Sequence, residues 1–144
     1  MILIALAYGA INGAGYDAAT ALSATHVAHA ILTFVFFHWA KGSPDTFAQG
    51  SFDELTVWEQ LDGGRAWSPT KRLFVAVPTL LLLLQLNAAR FAVGDMLVHV
   101  PLYCALCLLP KLPMMHRVRV LGINRTIMSE DIDISDLTPV KKKD

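Results

Sequence analysis

Four long stretches without a charged residue limit the folds open to this chain more than any other feature. They are residues 1–16, 18–40, 73–89 and 96–110. A helix needs about 20 apolar residues to cross a bilayer, so the second and third stretches are long enough. The fourth becomes long enough if its helix begins near Phe91, with Asp95 at the headgroup level or facing a partner. This pattern predicts an all-α integral membrane protein with about four transmembrane helices.

The first stretch fits a bilayer least well. As a helix it rises only about 24 Å, and Gly9, Gly13 and Gly15 weaken its end. We therefore expect the first span to be short or truncated. A cleaved signal peptide is the alternative, but no basic segment precedes the apolar run, so a membrane helix is the better interpretation.

Length and composition agree with one membrane domain. The chain has 144 residues, of which 54% are hydrophobic and 17% charged, and its formal net charge is zero. That length corresponds to a single domain, and the neutral balance gives no basic surface for nucleic acid. We predict a membrane domain over residues 1–125, which includes a cytosolic loop at 41–70, followed by a flexible cytosolic tail at 126–144.

Basic residues near the helix ends set the expected orientation, because Lys and Arg beside membrane helices stay in the cytosol. Among the basic residues, only Arg90 lies between the third and fourth stretches. The others lie in the central loop or after the fourth stretch: Lys41, Arg65, Lys71, Arg72, Lys111, Arg117, Arg119, Arg125 and Lys141 to Lys143. With four spans, both termini are then expected in the cytosol.

The central loop is too long for a simple connector, because loops beyond about 12–15 residues usually carry structure or function. Ser51 and Glu54 have capping-box spacing, and two glycines at 63–64 would stop a helix, so we predict one short amphipathic helix over Phe52–Asp62. Its apolar stripe is Phe52, Leu55, Trp58 and Leu61, and its acidic side is Asp53, Glu54, Glu59 and Asp62. Anionic headgroups would repel that side, so we expect docking on a protein partner or on the basic ends of the chain's own helices.

The third membrane helix has a clear predicted start. Ser68 is a good N-cap and Pro69 suits the first turn, while Lys71 and Arg72 are expected to snorkel to the interface. Pro78 removes one backbone donor and predicts a kink inside this helix. After the fourth helix, the segment Pro110, Lys111, Leu112 and Pro113 predicts a stop, and residues 116–124 alternate apolar and basic side chains, as in an extended segment that adds to a partner.

Histidines in the second stretch invite a metal interpretation, because His26 and His29 share a helix face. A stable zinc site needs three or four ligands, and this helix has no Asp, Glu or Cys near the pair. We therefore predict no metal and interpret the pair as polar packing or a hydrogen bond to a neighbouring helix or partner. Cys104 and Cys107 form a CxxC inside an apolar helix, where thiols stay protonated and pack as core residues.

Two functions of other classes stay open at this point. A small membrane lipid enzyme would use His26, His29 and His38 with Asp95 or Asp45. Asp95 is expected at the opposite membrane face from His38, beyond the reach of about 3 Å that proton transfer requires. A transporter subunit would place ionisable residues along a path inside its helices, where only the histidines qualify.

Two segments resemble the Orm (ORMDL) family. The first contains Lys41, Gly42, Ser43 and Pro44, then Gln49 and Gly50, and then Trp58, Glu59, Gln60, Leu61, Asp62 and Gly64. The family typically has a Lys-Gly-Thr-Pro turn and then Trp-Glu-Gln-Met-Asp, so Ser43 and Leu61 are mild variants. The second segment, LPKLPMMHRVRVLGIN at residues 109–124, resembles the family's closing segment. With Pro78, the resemblance covers nearly all of residues 17–125.

The resemblance implies a regulatory subunit with no catalytic residue and no cofactor of its own. Such a subunit binds and inhibits serine palmitoyltransferase, the enzyme of the first step of sphingolipid synthesis, in the endoplasmic reticulum membrane when ceramide is plentiful. The implied partners are the enzyme's catalytic subunits and its small subunit, with membrane lipids around them and ceramide as the signal. The implied partner-binding residues are Lys41, Gly42, Pro44, Phe52, Leu55, Trp58, Glu59, Gln60, Asp62, Pro110, Lys111, Pro113, His116, Arg119, Gly122 and Asn124.

The chain departs from the family at both ends. Family members carry a soluble N-terminal segment, with an asparagine implicated in ceramide recognition, before a full first helix, whereas this sequence begins inside that helix. Asn12 lies too late to take that role, so no ceramide-binding residue is assigned. At the other end, Lys141 and Lys142 resemble a dilysine retrieval signal of endoplasmic reticulum membrane proteins.

Overall fold

Helices account for the regular structure in the computed structural model, which describes residues 2–42 and 54–120. They are α1 (Ile2–Gly13), α2 (Ala18–Phe34), α3 (Val57–Gln60), α4 (Pro69–Ala88) and α5 (Val93–Leu102). α2 continues as a wider π-helix through Val35–Trp39, and α5 continues through Tyr103–Leu108 and a tight turn at Leu109–Lys111. The chain between α3 and α4 forms one more tight turn at Leu61–Gly64, and another follows α5 at Pro113–Met115.

Three of these helical segments are long and apolar enough to cross a membrane. They are Ala18–Trp39, Pro69–Ala88 and Val93–Lys111. α1 is also apolar but has only 12 residues. The prediction of an all-α integral membrane protein with a short first helix is confirmed.

The starts of α2 and α4 follow from their capping residues. Asp17 accepts hydrogen bonds from the backbone N–H of Ala19 at 3.1 Å and of Thr20 at 3.2 Å, which satisfies two donors that the helix leaves unpaired. Ser68 caps α4 by accepting from the Lys71 N–H at 3.2 Å, with Pro69 in the first turn as predicted. Lys71 does not snorkel, however, because its side chain is fully buried.

α2 lies at the centre of the bundle and packs against α1, α4 and α5. Ala21 and Ala30 on α2 are fully buried, since small side chains allow membrane helices to approach closely. The buried core joins α2 to α4 and to the extension of α5; it consists of Ala30, Leu82, Leu86, Tyr103 and Cys107. Cys107 thus packs in the core, as the interpretation of the CxxC expected, with Cys104 partly buried against the same cluster.

A polar network ties α2 to α5 inside the membrane. The Nδ1 atoms of His26 and His99 lie 2.9 Å apart, and Nε2 of His99 lies 2.9 Å from the hydroxyl of Ser23. Both histidines are almost completely buried, so these hydrogen bonds act in an environment without water to compete for them. The predicted hydrogen bond from His26 to a neighbouring helix is confirmed, with His99 as the partner.

The acid–base set of the lipid-enzyme alternative is not assembled in the described residues. His26 is paired with His99, whereas the ring of His38 packs 5.3 Å from that of Trp58 at the end of α2. Asp95 lies in the first turn of α5 and accepts a hydrogen bond from Gln85 at 3.0 Å. His38 therefore packs away from the pair of His26 and His99, and Asp45 lies outside the described residues.

The predicted loop helix over Phe52–Asp62 is wrong at its start. The helix begins at Val57, with Thr56 as its N-cap, and Ser51, Phe52 and Asp53 lie outside the described residues. Thr56 and Glu59 form the capping box: the Thr56 N–H donates to the Glu59 carboxylate at 2.8 Å, and the Glu59 N–H donates to the Thr56 hydroxyl at 3.4 Å. Leu55 lies outside the helix, and its carbonyl accepts a hydrogen bond from the Gly42 N–H at 3.1 Å.

The loop helix ends at Gln60, two residues before its predicted end, and the predicted glycine stop follows it. Asp62, Gly63 and Gly64 have φ angles of 54°, 68° and 78°, which belong to the left-handed region and stop the helix. The segment after α5 differs from the expected strand, because Arg117 also has a positive φ, of 62°, and turns the chain back. Within the described residues 116–120 there is accordingly no strand.

Pro78 creates a local defect in α4 that another helix repairs. Proline has no N–H to donate to the carbonyl four residues earlier, which belongs to Phe74. Nζ of Lys111, at the end of α5, donates to that carbonyl at 3.0 Å. Lys111 is only 1% exposed, so its burial at this point is explained by the acceptor that Pro78 leaves open.

This repair predicts coupling between Lys111 and Pro78. Lys111→Met leaves the Phe74 carbonyl without its donor and should lower the free energy of unfolding by about 2 kcal/mol. Pro78→Ala supplies a backbone N–H, so Lys111→Met should cost less than half as much in that background. Thermal unfolding of the four proteins in detergent measures this cycle. If the costs of the two single substitutions sum to the cost of the double substitution within about 0.5 kcal/mol, the two residues act independently.

Candidate functional site

The described parts of the two segments that resemble a known family meet at one end of the bundle, which we call the loop end. It is the end at which Trp39, Pro69 and Lys111 terminate or begin their helices. Trp58 from α3 lies at its centre and is 2% exposed. Its indole contacts three rings from α2 and α4, with centroid distances of 5.8 Å to Phe37, 5.3 Å to His38 and 6.4 Å to Phe74. These residues, together with Lys71 and Lys111, form the Trp58 cluster.

The two lysines of the Trp58 cluster are buried without a carboxylate partner among the described ion pairs. Nζ of Lys71 lies 5.4 Å from the Trp58 ring centroid, and Nζ of Lys111 lies 5.9 Å from it. Lys71 also donates to the carbonyl of Arg65, and Lys111 donates to that of Phe74. Ring faces and carbonyls therefore make the direct contacts to these two cations, while the carboxylates of Asp62 and Glu59 attract Lys71 from a longer distance.

A buried ion pair fastens the segment after α5 onto α3. Arg119 donates to both carboxylate oxygens of Glu59, at 2.6 Å and 2.8 Å, and to the carbonyl of Glu54 at 3.2 Å. The Glu59 side chain is 4% exposed and that of Arg119 is 21% exposed. Glu59 therefore faces the basic end of the chain itself, which is one of the two docking surfaces expected for its helix.

The ionisation of Glu59 follows from these contacts. Burial raises the pKa of its carboxyl, but the hydrogen bonds from Arg119 and from the Thr56 N–H outweigh burial and hold the pKa at about 2. The same bond to Glu59 raises the pKa of Arg119. The pair is thus charged throughout the physiological range.

Gln60 closes the base of the central loop. Its side-chain amide donates to the carbonyl of Gly42 at 2.8 Å and to that of Leu55 at 3.0 Å. Lys41 and Thr56 form an isolated antiparallel bridge beside these bonds. The end of α2 is therefore joined directly to the start of α3.

Asp62 connects the turn after α3 to the start of α4. Its carboxylate accepts hydrogen bonds from the hydroxyls of Ser68 and Thr70. The bond from Ser68 is the main reason that the pKa of Asp62 is lowered. Because Ser68 also caps α4, this contact fixes where the membrane helix begins.

A cavity of about 390 Å³, the loop-end cavity, lies next to Trp58. It is bounded by the end of α2, by α3, by the end of α5 and by the segment that follows α5. Its lining residues are mostly aromatic and aliphatic: Phe34, His38, Trp39, Thr56, Trp58, Glu59, Ala105, Leu109, Pro110, Met115, Val118, Arg119 and Val120. Apolar walls with a few polar groups are typical of ligand sites.

The family model of the ORMDL family matches residues 1–119 of this chain, including both halves of the loop end. The chain belongs to the ORMDL family. It is 37% identical to ORM1-like protein 2 of Homo sapiens over 102 residues, which is 70% of this chain and 66% of that protein. It is 31% identical to protein ORM1 of Saccharomyces cerevisiae over 120 residues, 83% of this chain and 53% of that protein. An uncharacterised protein of Schizosaccharomyces pombe is 33% identical over 108 residues, 74% of this chain and 57% of that protein. The match thus covers less than two thirds of each of these three relatives.

Most of the partner-binding residues implied by the family resemblance lie together at the loop end. The structure brings together those that belong to the contacts described above: Lys41, Gly42, Leu55, Trp58, Glu59, Gln60, Asp62, Lys111 and Arg119. Pro110 lines the cavity, and Pro113 begins the turn that leads to His116. Burial and the nearby Lys71 lower the pKa of His116. The remaining members, together with both lysines of the retrieval signal, lie outside the described residues: Pro44, Phe52, Gly122, Asn124, Lys141 and Lys142.

In this ORMDL-family chain, the described residues hold no group of three or more His, Cys, Asp or Glu side chains that could ligate a metal ion. The absence of metal, of a cofactor and of catalytic activity remains a prediction. The loop end can hold its buried charges in fixed contacts and present an apolar cavity beside them.

Sequence reasoning missed several residues of this site. Thr56 carries a readable signal, since Thr56 and Glu59 have the same capping-box spacing as Ser51 and Glu54. The pairing of Lys111 with the carbonyl freed by Pro78 has no local signal, because 37 residues separate Lys111 from Phe74. Likewise, no local feature of the sequence predicts that His99 bonds to His26.

Proposed function

We propose that this chain is a non-catalytic regulatory subunit that binds and inhibits serine palmitoyltransferase, so that sphingolipid synthesis responds to ceramide. The observation that carries the proposal is membership of the ORMDL family over residues 1–119. The enzyme's catalytic subunits and small subunit are the proposed partners. The pyridoxal phosphate of the reaction belongs to the enzyme, and this chain needs no cofactor.

The geometry of the loop end supports a binding role over a catalytic one. The carboxylate of Glu59 is held by Arg119, and that of Asp62 by Ser68 and Thr70, so both are engaged in structural bonds. A catalytic acid or base needs a side chain that can reach a substrate proton. The fixed contacts instead give a rigid surface, which is what a partner requires for a specific interface.

We further propose the endoplasmic reticulum membrane as the location, with the loop end and both termini in the cytosol. The charge bias supports this orientation, since basic residues are concentrated at the loop end and Arg90 stands alone at the opposite end. Lys141 and Lys142 would then act as a retrieval signal on the cytosolic side. A glycosylation site introduced in the turn between α1 and α2 should be modified, and one introduced after Arg125 should not.

The decisive experiment measures both binding and rate. Purified serine palmitoyltransferase, with and without this chain bound, converts serine and palmitoyl-CoA to the keto-sphingoid product across a ceramide series. We expect copurification and a loss of rate that grows with ceramide. Inhibition that does not depend on ceramide would leave the subunit role and remove the sensing role. If the chain does not copurify with the enzyme, the proposal is wrong.

A pair of variants separates the loop end from the membrane helices in this assay. Arg119→Ala releases the segment after α5 from α3 and should weaken inhibition. Leu84→Ala, at a half-exposed position on the lipid-facing side of α4, is the matched control and should inhibit like the unmodified chain. Equal inhibition by both variants would show that the loop end does not contribute to the interface.

A further inference from the structure

The loop-end cavity is open towards the lipid side of the bundle. Trp39 on α2 and Leu109 on α5 both line it, and they are 52% and 51% exposed. Trp39 ends one segment that is long enough to cross a membrane, and Leu109 lies two residues before the end of another, so both lie near the headgroup region. A volume of about 390 Å³ falls within the size range of small-molecule sites. Its nearest source of apolar ligands is therefore the bilayer itself.

The charges around the cavity distinguish one class of lipid from another. Glu59 is the single carboxylate among the lining residues, and both of its oxygens are bonded by Arg119. Residues 54–72 and 109–120, which form this end, contain six Lys or Arg and three Asp or Glu. Arg117 is exposed beside Val118, one of the lining residues. Arg119 thus neutralises Glu59, the acidic residue that lines the cavity, and the described residues around it are net positive.

We propose that the loop-end cavity holds one acyl chain of an anionic phospholipid, with the lipid phosphate at the interface beside Arg117. The apolar walls accept the chain, and the positive surroundings favour an anionic head over a zwitterionic one. A protein side chain would also fill apolar space, but an apolar anchor gains nothing from the net charge. This site is independent of the proposed regulation of serine palmitoyltransferase, and its test does not involve that enzyme.

Photo-crosslinking tests the proposal on the full chain in nanodiscs of phosphatidylcholine. Two probes carry the same diazirine-labelled acyl chain, one on phosphatidylserine and the other on phosphatidylcholine. Mass spectrometry then locates the adducts. We expect adducts on Ala105, Leu109 and Met115, at least about tenfold more abundant with the phosphatidylserine probe, because each nearby cation favours an anionic head by about fivefold. Raising the salt concentration should reduce that preference.

Three variants separate the chain-binding and headgroup contributions. Ala105→Phe fills the cavity and should remove most of the adducts, whereas Leu84→Phe, on the lipid-facing side of α4, should keep them. Arg117→Gln alters an exposed side chain, so folding is retained, and it should lower the preference for phosphatidylserine about fivefold while labelling of the cavity continues.

The proposal is overturned by any of four results. Equal labelling by the two probes, or full labelling of Ala105→Phe, would identify ordinary boundary lipid. If neither probe labels the cavity residues, the occupant of the cavity is a protein side chain instead of a lipid. An unchanged headgroup preference in Arg117→Gln would reject the assigned position of the phosphate.

Discussion

Replacing Trp58 with alanine is expected to lower the free energy of unfolding by about 3–5 kcal/mol, the usual range for a buried tryptophan. The indole is 2% exposed and packs against Phe37 and Phe74, so its removal leaves a cavity between α2, α3 and α4. Lys71 and Lys111 would also lose the ring face that lies near their ammonium groups. Scanning calorimetry in detergent should show a fall in Tm on the order of 10 °C.

Trp67 provides the control for this prediction. It is the same residue type in the same loop, but it is 38% exposed, so Trp67→Ala should cost less than about 1 kcal/mol. Trp58→Phe keeps a ring beside Phe37 and should fall between the two. If the Tm of Trp58→Ala equals that of Trp67→Ala, the Trp58 cluster does not stabilise the fold.

The same variants decide how Trp58 contributes to partner binding. The family resemblance predicts Trp58 as a partner-binding residue, and the structure places its ring inside the chain. We therefore expect any contribution of Trp58 to partner binding to act through the residues it supports. If this is correct, binding to serine palmitoyltransferase should weaken in proportion to the loss of stability across Trp58→Phe and Trp58→Ala. A large loss of binding by Trp58→Phe with little loss of stability would instead indicate direct contact.

The sequence predicts the membrane helices well because their signals are local. An uncharged run of sufficient length, Asp17 or Ser68 at its start and glycines at a stop depend only on neighbouring residues. These features gave the spans, the start of α4 and the left-handed stop at Gly63 and Gly64. Bilayer thickness then leaves little choice of helix length.

The contacts of the loop end were not predictable in the same way. Ser51 and Thr56 both have a capping partner three residues on, and local sequence does not choose between them. The choice depends on Gly42, which bonds to Leu55, and on Arg119, which bonds to Glu59 from 60 residues away. For the acidic side of the loop helix, docking on a basic part of the chain itself was one of the two expectations, but the sequence could not identify Arg119 as the residue that bonds to Glu59.

The pairing of Glu59 with Arg119 leads to the second large effect. Glu59→Gln keeps the shape of the side chain but leaves Arg119 without its counter-ion. Breaking a fully buried pair costs about 3–5 kcal/mol; since Arg119 retains 21% exposure and some hydration, we expect about 2–3 kcal/mol. Glu54→Gln changes a carboxylate in the same segment and should cost less than about 0.5 kcal/mol. In Glu59→Gln/Arg119→Gln no charge is left unpaired, so part of the lost stability should return.

The dependence of this effect on pH has a definite sign. The pKa of Glu59 falls from an ordinary value of 4.5 to about 2 in the folded chain, so folding favours the ionised form. The stability that the pair supplies is therefore fully present above pH 4.5 and is lost as the pH falls through about 2. The difference in Tm between the unmodified chain and Glu59→Gln should be constant from pH 7 to 5 and shrink towards pH 2. Other carboxylates titrate equally in both proteins, so the difference isolates Glu59. A difference that stays constant down to pH 2 would show that the charge of Glu59 does not stabilise the fold.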